Sequence, residues 1–586
     1  MKLSRIIRDQ RGIALITVVL VALAVSSVAI AASMMTMSGT LVRRYSERAT
    51  IADQAAISGT EKGLSALLGN GALYPQTGFT TLADSLPVYD ANGTAIPGVR
   101  RSIYLGPSVD PARGSIVTQV WGQGGVRAVR RLEVSATSLG SYGFFVDDDE
   151  TGLGYPPQVD QYGPVYSRKS IQVQPPSVGD TTVFWDQVAT ASTVINSGNG
   201  IFRQGFKENV PVIPMPSSTD LTSLRPLAVT AGLQFASTGP GPNSAPMRIE
   251  FVPVDMDGDT ATKNDIEGFI RIFTTNDNSG DRAYVIAGVK DSLMATPNCG
   301  EYDEGEFKSL ANGKLSGSEA HSRFDNHEFH CYLGGDITLN DSTWTGTIGP
   351  GTWIPYTGPA ISSPGFDATP GKQFLHPYTP ALNSNSAGVI YVDGDVAVSG
   401  VVVGKVTVAS ADDIIIVDDL VQYHDPAANA CNADLIGLFA QDDIVIADNT
   451  INTPQRYGTQ NYQTMGATKD EFVQAVILAL DEFRVHNALS GPDALDNGGA
   501  GAEQCEGTPQ GRGCLYLTGG IIEKHRGRIG SASSGTGPRL RQSYNSCVRT
   551  GAPPQFPVTG KFTKGSTYEI DPANFDPATW FANYQS

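Results

Sequence analysis

The chain begins with a long, uninterrupted apolar stretch. No charged residue occurs between Gly12 and Val42, and roughly 20 apolar helical residues are enough to cross the ~30 Å hydrocarbon core of a bilayer. Four basic residues and one acidic residue precede the stretch, which by the positive-inside rule keeps the N-terminus in the cytoplasm. The pattern predicts a single membrane-spanning helix with the rest of the chain outside the cytoplasm.

The pattern of the next segment, residues 46–68, predicts that the helix continues to about residue 70. Small residues recur there at spacings of three and four, which places them on one face of a helix. Such a stripe lets a sheet or another helix approach closely, either in the same domain or in a neighbouring chain. Its members are Ala49, Ala52, Ala56, Gly59 and Gly63.

Beyond residue 70 the polar and apolar positions predict short β-strands. Residues 115–136 form two alternating runs around Gly124 and Gly125, which is typical of a hairpin. In residues 388–420 and 435–449, short runs of Val and Ile recur between Gly, Asp and Asn. Such runs favour stacked coils, so the predicted fold class is mainly β: a long N-terminal helix, a small αβ module, and a large β-solenoid or β-helix. An elongated sandwich is the alternative.

One segment, residues 468–487, is ambiguous between helix and strand. Thr468 and Glu471 have the spacing of a capping box before an apolar run, which favours a helix. The run "VQAVILAL" is equally typical of a buried strand in the next coil.

The charge balance bears on the class of partner. The formal net charge is −18, whereas residues 1–48 contain seven basic and two acidic residues. The remaining body is therefore strongly acidic, which excludes a nucleic-acid partner by repulsion from phosphates and is compatible with an exported domain or with divalent cations.

The six cysteines all follow the membrane segment, and an even number in an exported domain suggests disulfides. Proximity favours Cys299–Cys331, but six cysteines allow fifteen pairings, and buried free thiols are the alternative. The candidates are Cys299, Cys331, Cys431, Cys505, Cys514 and Cys547.

The junction of the basic leader and the apolar stretch resembles a prepilin leader. The resemblance implies cleavage after Gly12 by a prepilin peptidase, leaving an N-methylated Ile13. Together with the helix that follows, residues 1–70 resemble the N-terminal region of PilX-like minor pilins and of the related pseudopilins. Most pilins have Glu as the fifth mature residue, whereas this chain has Thr17, which resembles subunits at a filament tip. A secretory signal cut at "AIAAS" (residues 29–33) is the alternative.

Four phrases between residues 140 and 560 resemble an uncharacterised bacterial domain that follows PilX-like N-termini. They are "GPVYS", "GVIYVDGDVAVSG", "DLIGLFAQDDIVIADN" and "LTGGIIEKHRGRIG". Because the function of that domain is poorly defined, the resemblance bears on architecture and location more than on activity.

The best candidate ligand site is "VDMDGDTATKNDIEG", residues 254–268. Closely spaced carboxylates around a glycine are typical of a calcium loop, although the spacing departs from an EF-hand; a solvated acidic turn is the alternative. The candidate calcium ligands are Asp255, Asp257, Asp259, Asp265 and Glu267. A weaker zinc candidate is the histidine cluster His321, His327 and His330, whose spacing fits no established tetrahedral motif.

Signals for catalysis are weak, and the prediction is that the protein is not an enzyme. The sequence contains no GxSxG, HExxH or Walker motif. A β-helix could cleave polysaccharide with Asp393, Asp395 and Lys405, but Asp at a coil corner is more often a turn former.

The pattern and the resemblance together predict a pilin-like minor subunit in the inner membrane. Its partners would be other pilin or pseudopilin subunits, the peptidase and the membrane, with a head in the periplasm or on a pilus. The alternatives are a pseudopilin of a type II secretion apparatus and a membrane-tethered carbohydrate-active β-helix. The predicted organisation is a leader at 1–12, the helix at 13–70, a hairpin module at 71–140, a loop-rich β region at 141–380, and a solenoid-like region with a Pro/Gly-rich tail at 381–586.

Overall fold

The structure is a computed structural model of the 586-residue chain. It describes residues 6–70, 73–75, 78–107, 113–148, 154–155, 160–176, 181–237, 247–258, 265–275, 347–348, 351–369, 371–424, 426, 431, 434–447, 456–457, 460–461, 471–486, 488, 514–530, 538–549 and 551–583.

The chain divides into two compact units, and the smaller is built from both ends of the chain. Unit 1 comprises Met1–Ala136 and Lys561–Ser586, and unit 2 comprises Thr137–Gly560. The large unit is therefore inserted within the sequence of the small one.

Unit 1 combines one long helix with an antiparallel sheet. Helix α1 spans Ile6–Gly69, which confirms the predicted continuous helix. The sheet has the order β1-β2-β3-β4-β32, so the last strand of the chain lies beside the fourth. Its strands are β1 (Thr80–Tyr89), β2 (Ala95–Pro107), β3 (Arg113–Trp121), β4 (Arg127–Ser138) and β32 (Val558–Ile570).

The predicted hairpin is confirmed, because β3 and β4 pair antiparallel around a tight turn at residues 122–126. Two of its basic side chains form ion pairs. Arg130 forms ion pairs with Asp53 and Glu569, whereas Arg131 pairs with Glu133.

The small-residue stripe of α1 packs on the sheet of its own unit. A methyl group added at Gly59 would collide with Thr118, and one at Gly63 would lie 2.6 Å from Cγ2 of Ile116. Ala52 and Ala56 are fully buried. Close approach of helix and sheet is thus the function of the stripe within unit 1.

Unit 2 begins with short parallel strands wound into three-sided coils. β5, β6, β9 and β12 pair in that order, β7 pairs with β10, and β8 pairs with β11. The strands are β5 (Phe144–Asp148), β6 (Val165–Ser167), β7 (Ile171–Gln172), β8 (Thr182–Phe184), β9 (Val188–Thr190), β10 (Val194–Ile195), β11 (Gly200–Phe202) and β12 (Phe206–Lys207).

The middle of unit 2 carries short helices and an antiparallel hairpin. Strand β14 pairs antiparallel with β15 and parallel with a later strand at Val396–Val402. The elements are α2 (Ser218–Thr222), α3 (Arg225–Ala231), β13 (Gln234–Ala236), β14 (Met247–Asp255), β15 (Ile266–Thr275), β16 (Thr347–Ile348), β17 (Gly351–Trp353), α4 (Pro364–Ala368) and β18 (His376–Pro377).

Most of the remaining strands of unit 2 are longer. They are β19 (Val389–Asp393), β20 (Val396–Val402), β21 (Lys405–Ser410), β22 (Ile414–Gln422), β23 (Leu435–Ala440), β24 (Ile444–Ile446), β25 (Arg456–Tyr457), β26 (Gln460–Asn461), β27 (Glu471–Val473), β28 (Val476–Val485), β29 (Cys514–Thr518), β30 (Ile521–His525) and β31 (Arg539–Ser543). A last helix, α5 (Pro577–Asn583), belongs to unit 1.

Apart from β25 and β26, which pair antiparallel with each other, these strands pair one coil apart and not with their neighbours in sequence. One parallel sheet contains β19, β21, β23, β28 and β30. A second contains β20 and β22, and β22 pairs further with both β24 and β27. Strand β30 then pairs with β5, so the first coils of unit 2 stack on its last ones. This alternation is the strand arrangement of a β-solenoid and confirms the predicted, mainly β fold class.

Residues 471–485 form strands, so the helix reading of that segment is wrong. β28 pairs with β23 and β30 along its first half and with β24 along its second half. Both faces of the strand are covered: Ile477 packs in the coil interior, Leu478 packs on the outer face beside Phe556, and both are fully buried. Pairing on both sides outweighs the local capping signal.

A disulfide joins Cys431, between β22 and β23, to Cys547, which follows β31. The segment after Cys547 crosses the sheet that contains β23, where Pro553 and Phe556 occupy the space above Gly437. The favoured pair Cys299–Cys331 and the thiol groups of Cys505 and Cys514 lie outside the described residues.

Candidate functional site

The N-terminal half of α1 exposes its apolar side chains. From Ile13 to Tyr45 every large hydrophobic side chain is at least 51% exposed, and the helix is long and apolar enough to cross a membrane. Within a bilayer these side chains would face lipid or other helices. One N-terminal apolar helix of this kind fits a single-pass membrane anchor.

The few polar side chains of this segment are satisfied within the helix. Thr17 Oγ1 donates to the carbonyl oxygen of Ile13 at 2.8 Å, and Ser26 and Thr36 make the same bond one turn back at 2.7 and 2.8 Å. Hydroxyls bonded in this way add little cost to a helix in an apolar medium. Gly12 and Ile13, the predicted cleavage residues, lie within the same helix; processing stays a prediction.

A second feature is an acidic corner on the solenoid of unit 2. Val392, Ser410, Ala440 and Ala479 are in register on one sheet, and four residues later Val396, Ile414, Ile444 and Phe483 are in register on the next. The three residues between them turn the same corner in each coil. We define the acidic corner as Asp395, Asp412, Asp413, Asp442, Asp443, Asp481 and Glu482.

Within the acidic corner each coil is hydrogen-bonded to the next through carboxylates. Oδ1 of Asp395 accepts from the backbone N–H of Asp413 at 3.1 Å, and Oδ1 of Asp413 accepts from that of Asp443 at 2.8 Å. Oδ1 of Asp443 in turn accepts from the N–H of Glu482 at 3.0 Å. These bonds satisfy backbone donors at the bend, where the sheets supply no partner.

Burial of these carboxylates perturbs their titration. Burial raises the pKa of Asp395 to about 6 and that of Asp413 to about 7, and neighbouring Asp residues add to both shifts. Burial, followed by the charge of Asp443, also raises the pKa of Asp442 and of Glu482. The corner therefore holds carboxylates that take up protons near neutral pH.

Arg484 and His525 border the corner. Arg484 Nε lies 2.6 Å from Asp443 Oδ2, and His525 Nε2 lies 3.7 Å from Asp481 Oδ1. Two overlapping trios, Asp412–Asp413–Asp442 and Asp442–Asp443–Asp481, have carboxylate oxygens within 4.8 Å of one another. Hard divalent cations prefer such oxygen ligands, so these residues could hold a metal ion. The repeated "DDI" of residues 412–414 and 442–444 is the sequence signal that marks them.

Two of the predicted calcium residues lie in the paired strands β14 and β15. Asp255 is opposite Ile266, and Glu267 is opposite Val254. Because adjacent positions in a strand point to opposite faces, the side chains of Asp255 and Glu267 lie on different faces of the hairpin. Burial raises the pKa of Asp255, and its interaction with Asp257 adds to the shift.

Of the other predicted calcium ligands, Asp265 is near Asp255, since the N–H of Met256 donates to the carbonyl oxygen of Asp265 at 2.9 Å, whereas Glu267 faces away. Glu267 Oε2 accepts from Thr379 Oγ1 at 2.9 Å, and Asp265 is exposed at the start of β15. Asp259 lies outside the described residues, as do the histidines of the zinc candidate. Calcium binding by this loop stays a prediction.

The residues considered for polysaccharide cleavage do not converge. Asp393 Oδ2 accepts from Arg225 Nη2 at 2.8 Å and from Gln234 Nε2 at 2.6 Å. Lys405 begins β21, whereas Asp393 follows Val392, which pairs with the last residue of that strand; at about 3.3 Å per residue the two are separated by roughly 15–20 Å. Asp395 belongs to the acidic corner, where it bonds to the backbone as a turn-forming residue.

No protein-family model and no curated protein matches the chain. Among solved structures, the chain is similar to the competence-associated pilin ComZ from Thermus thermophilus. The two sequences are 13% identical, the alignment covers 89% of this chain and 97% of the other, and the TM-score is 0.23. A TM-score of this size does not indicate a shared overall fold.

Proposed function

We propose that the protein is a pilin-like minor subunit that is processed after Gly12, assembles through residues 13–45 of α1, and displays unit 2 at a filament tip. The observation that carries the proposal is α1 itself. One continuous helix is exposed and apolar along its first half, and along its second half it packs on an antiparallel sheet through Ala52, Ala56, Gly59 and Gly63.

This division of α1 suits a subunit that leaves the membrane to join a filament. Exposed apolar side chains can exchange lipid for the helices of neighbouring subunits without refolding. They are buried in an apolar medium in the membrane and in the filament, and only the partner changes. The second half of the helix keeps its contacts with the sheet throughout.

The size of unit 2 supports a tip position. A unit of 424 residues, Thr137–Gly560, is difficult to repeat in a closely packed shaft. Thr17 supports the same position, because its hydroxyl is bonded to Ile13 and it carries no charge for pairing with a neighbouring amino terminus.

The second candidate is a pseudopilin of a secretion apparatus, which the same features of α1 support. Deletion of the gene distinguishes the two: loss of pili favours the first, and loss of secreted enzymes with intact pili favours the second. Labelling of unit 2 along entire filament shafts would contradict the tip position.

The decisive experiment is mass spectrometry of the mature N-terminus in protein from its native membranes. The proposal expects a chain that starts at N-methylated Ile13, and expects Gly12→Leu to leave the leader attached while Gln10→Leu is processed normally. A chain that starts at Met1 would mean a simple anchor. A start near Ser33 would mean a secreted protein and would favour the carbohydrate-active alternative.

A further inference from the structure

A group of arginines surrounds the point where α1 leaves the sheet of unit 1. Arg48 lies against the turn between β3 and β4: its Nη1 is 2.6 Å from the position that a Cβ of Gly124 would take. Arg127 begins β4 directly after this turn, and Arg44 is one helical turn before Arg48. We define the basic cluster as Arg44, Arg48 and Arg127.

The basic cluster is exposed and its charges are not neutralised. All three side chains are exposed, and among the residues that the structure describes none provides them with an ion pair or a hydrogen bond. The neighbouring Arg43, in contrast, is paired with Glu47 at 3.0 Å.

The cluster borders the apolar segment of α1 directly. Val42 is the last residue of the uncharged run that begins at Gly12, and at 1.5 Å per residue that run spans roughly 46 Å, the thickness of a bilayer with its head groups. Tyr45, 64% exposed, lies at the same level, and tyrosine is typical of the membrane–water interface.

We propose that the basic cluster binds anionic phospholipid head groups of the membrane leaflet on the side of unit 1. This inference rests on the proposed function in one respect, namely that α1 resides in the membrane before assembly. Guanidinium groups form strong, bidentate hydrogen bonds with phosphate. Position favours lipid over an acidic protein, because the helix that carries Arg44 and Arg48 brings them to the phosphate level.

The consequence is a subunit that is held at the bilayer surface by charge as well as by its apolar helix. Without the leader, residues 1–12, unit 1 has twelve Lys and Arg residues against ten Asp and Glu residues and is slightly positive, whereas unit 2 is strongly acidic. An anionic surface therefore attracts unit 1 and repels unit 2.

The test uses the full chain in bilayers of phosphatidylcholine and phosphatidylglycerol. Spin-labelled versions of both lipids report how strongly each associates with the protein. We expect phosphatidylglycerol to be favoured roughly fivefold at low salt, the ratio that corresponds to about 1 kcal/mol for a basic residue near the surface. In Arg44→Gln/Arg48→Gln/Arg127→Gln the preference should fall to the level set by the basic residues of the leader, Lys2, Arg5, Arg8 and Arg11.

The matched control is Lys207→Gln/Lys524→Gln/Arg528→Gln, which removes three exposed charges from unit 2 and should leave the preference unchanged. Arg44→Gln/Arg127→Gln keeps Arg48 against its turn and should lose part of the preference for phosphatidylglycerol. A partial loss in this variant excludes misfolding as the cause of the larger loss in the triple Arg variant.

An equal association of the two lipids with the wild type, or an unchanged preference in the triple Arg variant, would overturn the proposal. Salt-sensitive self-association in detergent that the triple Arg variant loses would assign the cluster to a second copy of the chain and would also overturn it. Release of the wild-type protein from bilayers by alkaline wash would instead refute the membrane anchor of the proposed function.

Discussion

Asp413 and Asp395 are acidic residues placed where their charge is unfavourable. They are 4% and 7% exposed, yet both are needed as acceptors for backbone N–H groups of the next coil. The corner therefore gains hydrogen bonds and incurs the cost of desolvating carboxylates.

This cost predicts that unit 2 becomes more stable as the pH falls from about 8 to about 5. The pKa of Asp413 is raised from 3.8 to about 7 in the folded state, so folding takes up a proton in this range. With about 1.4 kcal/mol per pKa unit, Asp413→Asn should lower the pH dependence of the free energy of unfolding by roughly 2–3 kcal/mol across this range. Denaturant unfolding at several pH values measures it.

Asp412→Asn is the control for this prediction, because it removes the same charge from an exposed position of the same corner. It should change the pH dependence less than Asp413→Asn does. Equal effects of the two substitutions would show that net charge, not burial, governs the stability.

At the residue scale, the sequence identifies Asp393 and Asp395 as corner residues. It does not show which acidic residues of the neighbouring coils lie beside Asp395. The turn-forming role of Asp395 follows from its type and its position between Val/Ile runs. The convergence of Asp413, Asp443 and Glu482 depends on the register between coils, and the unequal lengths of the coils hide that register in the sequence.

At the scale of elements, α1 depends on two glycines for its close approach to the sheet. Gly59→Ala should destabilise unit 1 by roughly 1–3 kcal/mol, although alanine is the better helix former, because the methyl group has no space beside Thr118. Thermal unfolding of the full chain in detergent, followed at the helix signal, measures the loss.

The control is Gly39→Ala, since nothing lies within 4 Å of the added methyl group. This substitution should stabilise the helix by about 1 kcal/mol through propensity alone. A stabilising effect of both substitutions would contradict the close packing at Gly59.

The disulfide between Cys431 and Cys547 closes a loop with a sequence separation of 116 residues. Cys431→Ser/Cys547→Ser should lower the free energy of unfolding of unit 2 by about 2–4 kcal/mol, mainly by freeing the unfolded chain. Denaturant unfolding with and without reductant measures the effect. If this disulfide carries the stabilisation, a reductant should destabilise the wild type far more than the double variant.

Among the elements, the sequence predicts best those whose signal is local. The helix at residues 6–69 and the β3–β4 hairpin follow from apolar periodicity and from the glycine turn. The strand at residues 476–485 could not be separated from a helix, because its apolar run lacks alternation and its pairing partners lie tens of residues away. The strands of two or three residues at 165–207 are too short to show a period.

At the scale of the whole molecule, unit 2 is an insertion between two neighbouring strands of unit 1. Its chain ends are close, because the N–H of Leu139 donates to the carbonyl oxygen of Pro557 at 3.0 Å. After unit 2 the chain returns to unit 1, so residues 561–586 belong to unit 1 and not to a tail of the solenoid. Nothing in the local sequence pattern predicts this return.

The insertion predicts that unit 1 folds without unit 2. Replacing residues 139–557 by a short Asn-Gly turn should join β4 to β32 as a hairpin. Circular dichroism in detergent should show the helix and a cooperative transition. A shortened chain that stays unfolded would mean that unit 2 is required for the sheet.

The same connection determines how the molecule carries a mechanical load. A force applied to unit 2 reaches unit 1 through two covalent crossings, at Ala136–Thr137 and at Gly560–Lys561. Because β4 and β32 are neighbours in one sheet, the tension is divided between two adjacent strands. It pulls both strands in the same direction. The two strands are not sheared past each other, and rupture of either crossing alone leaves unit 2 attached.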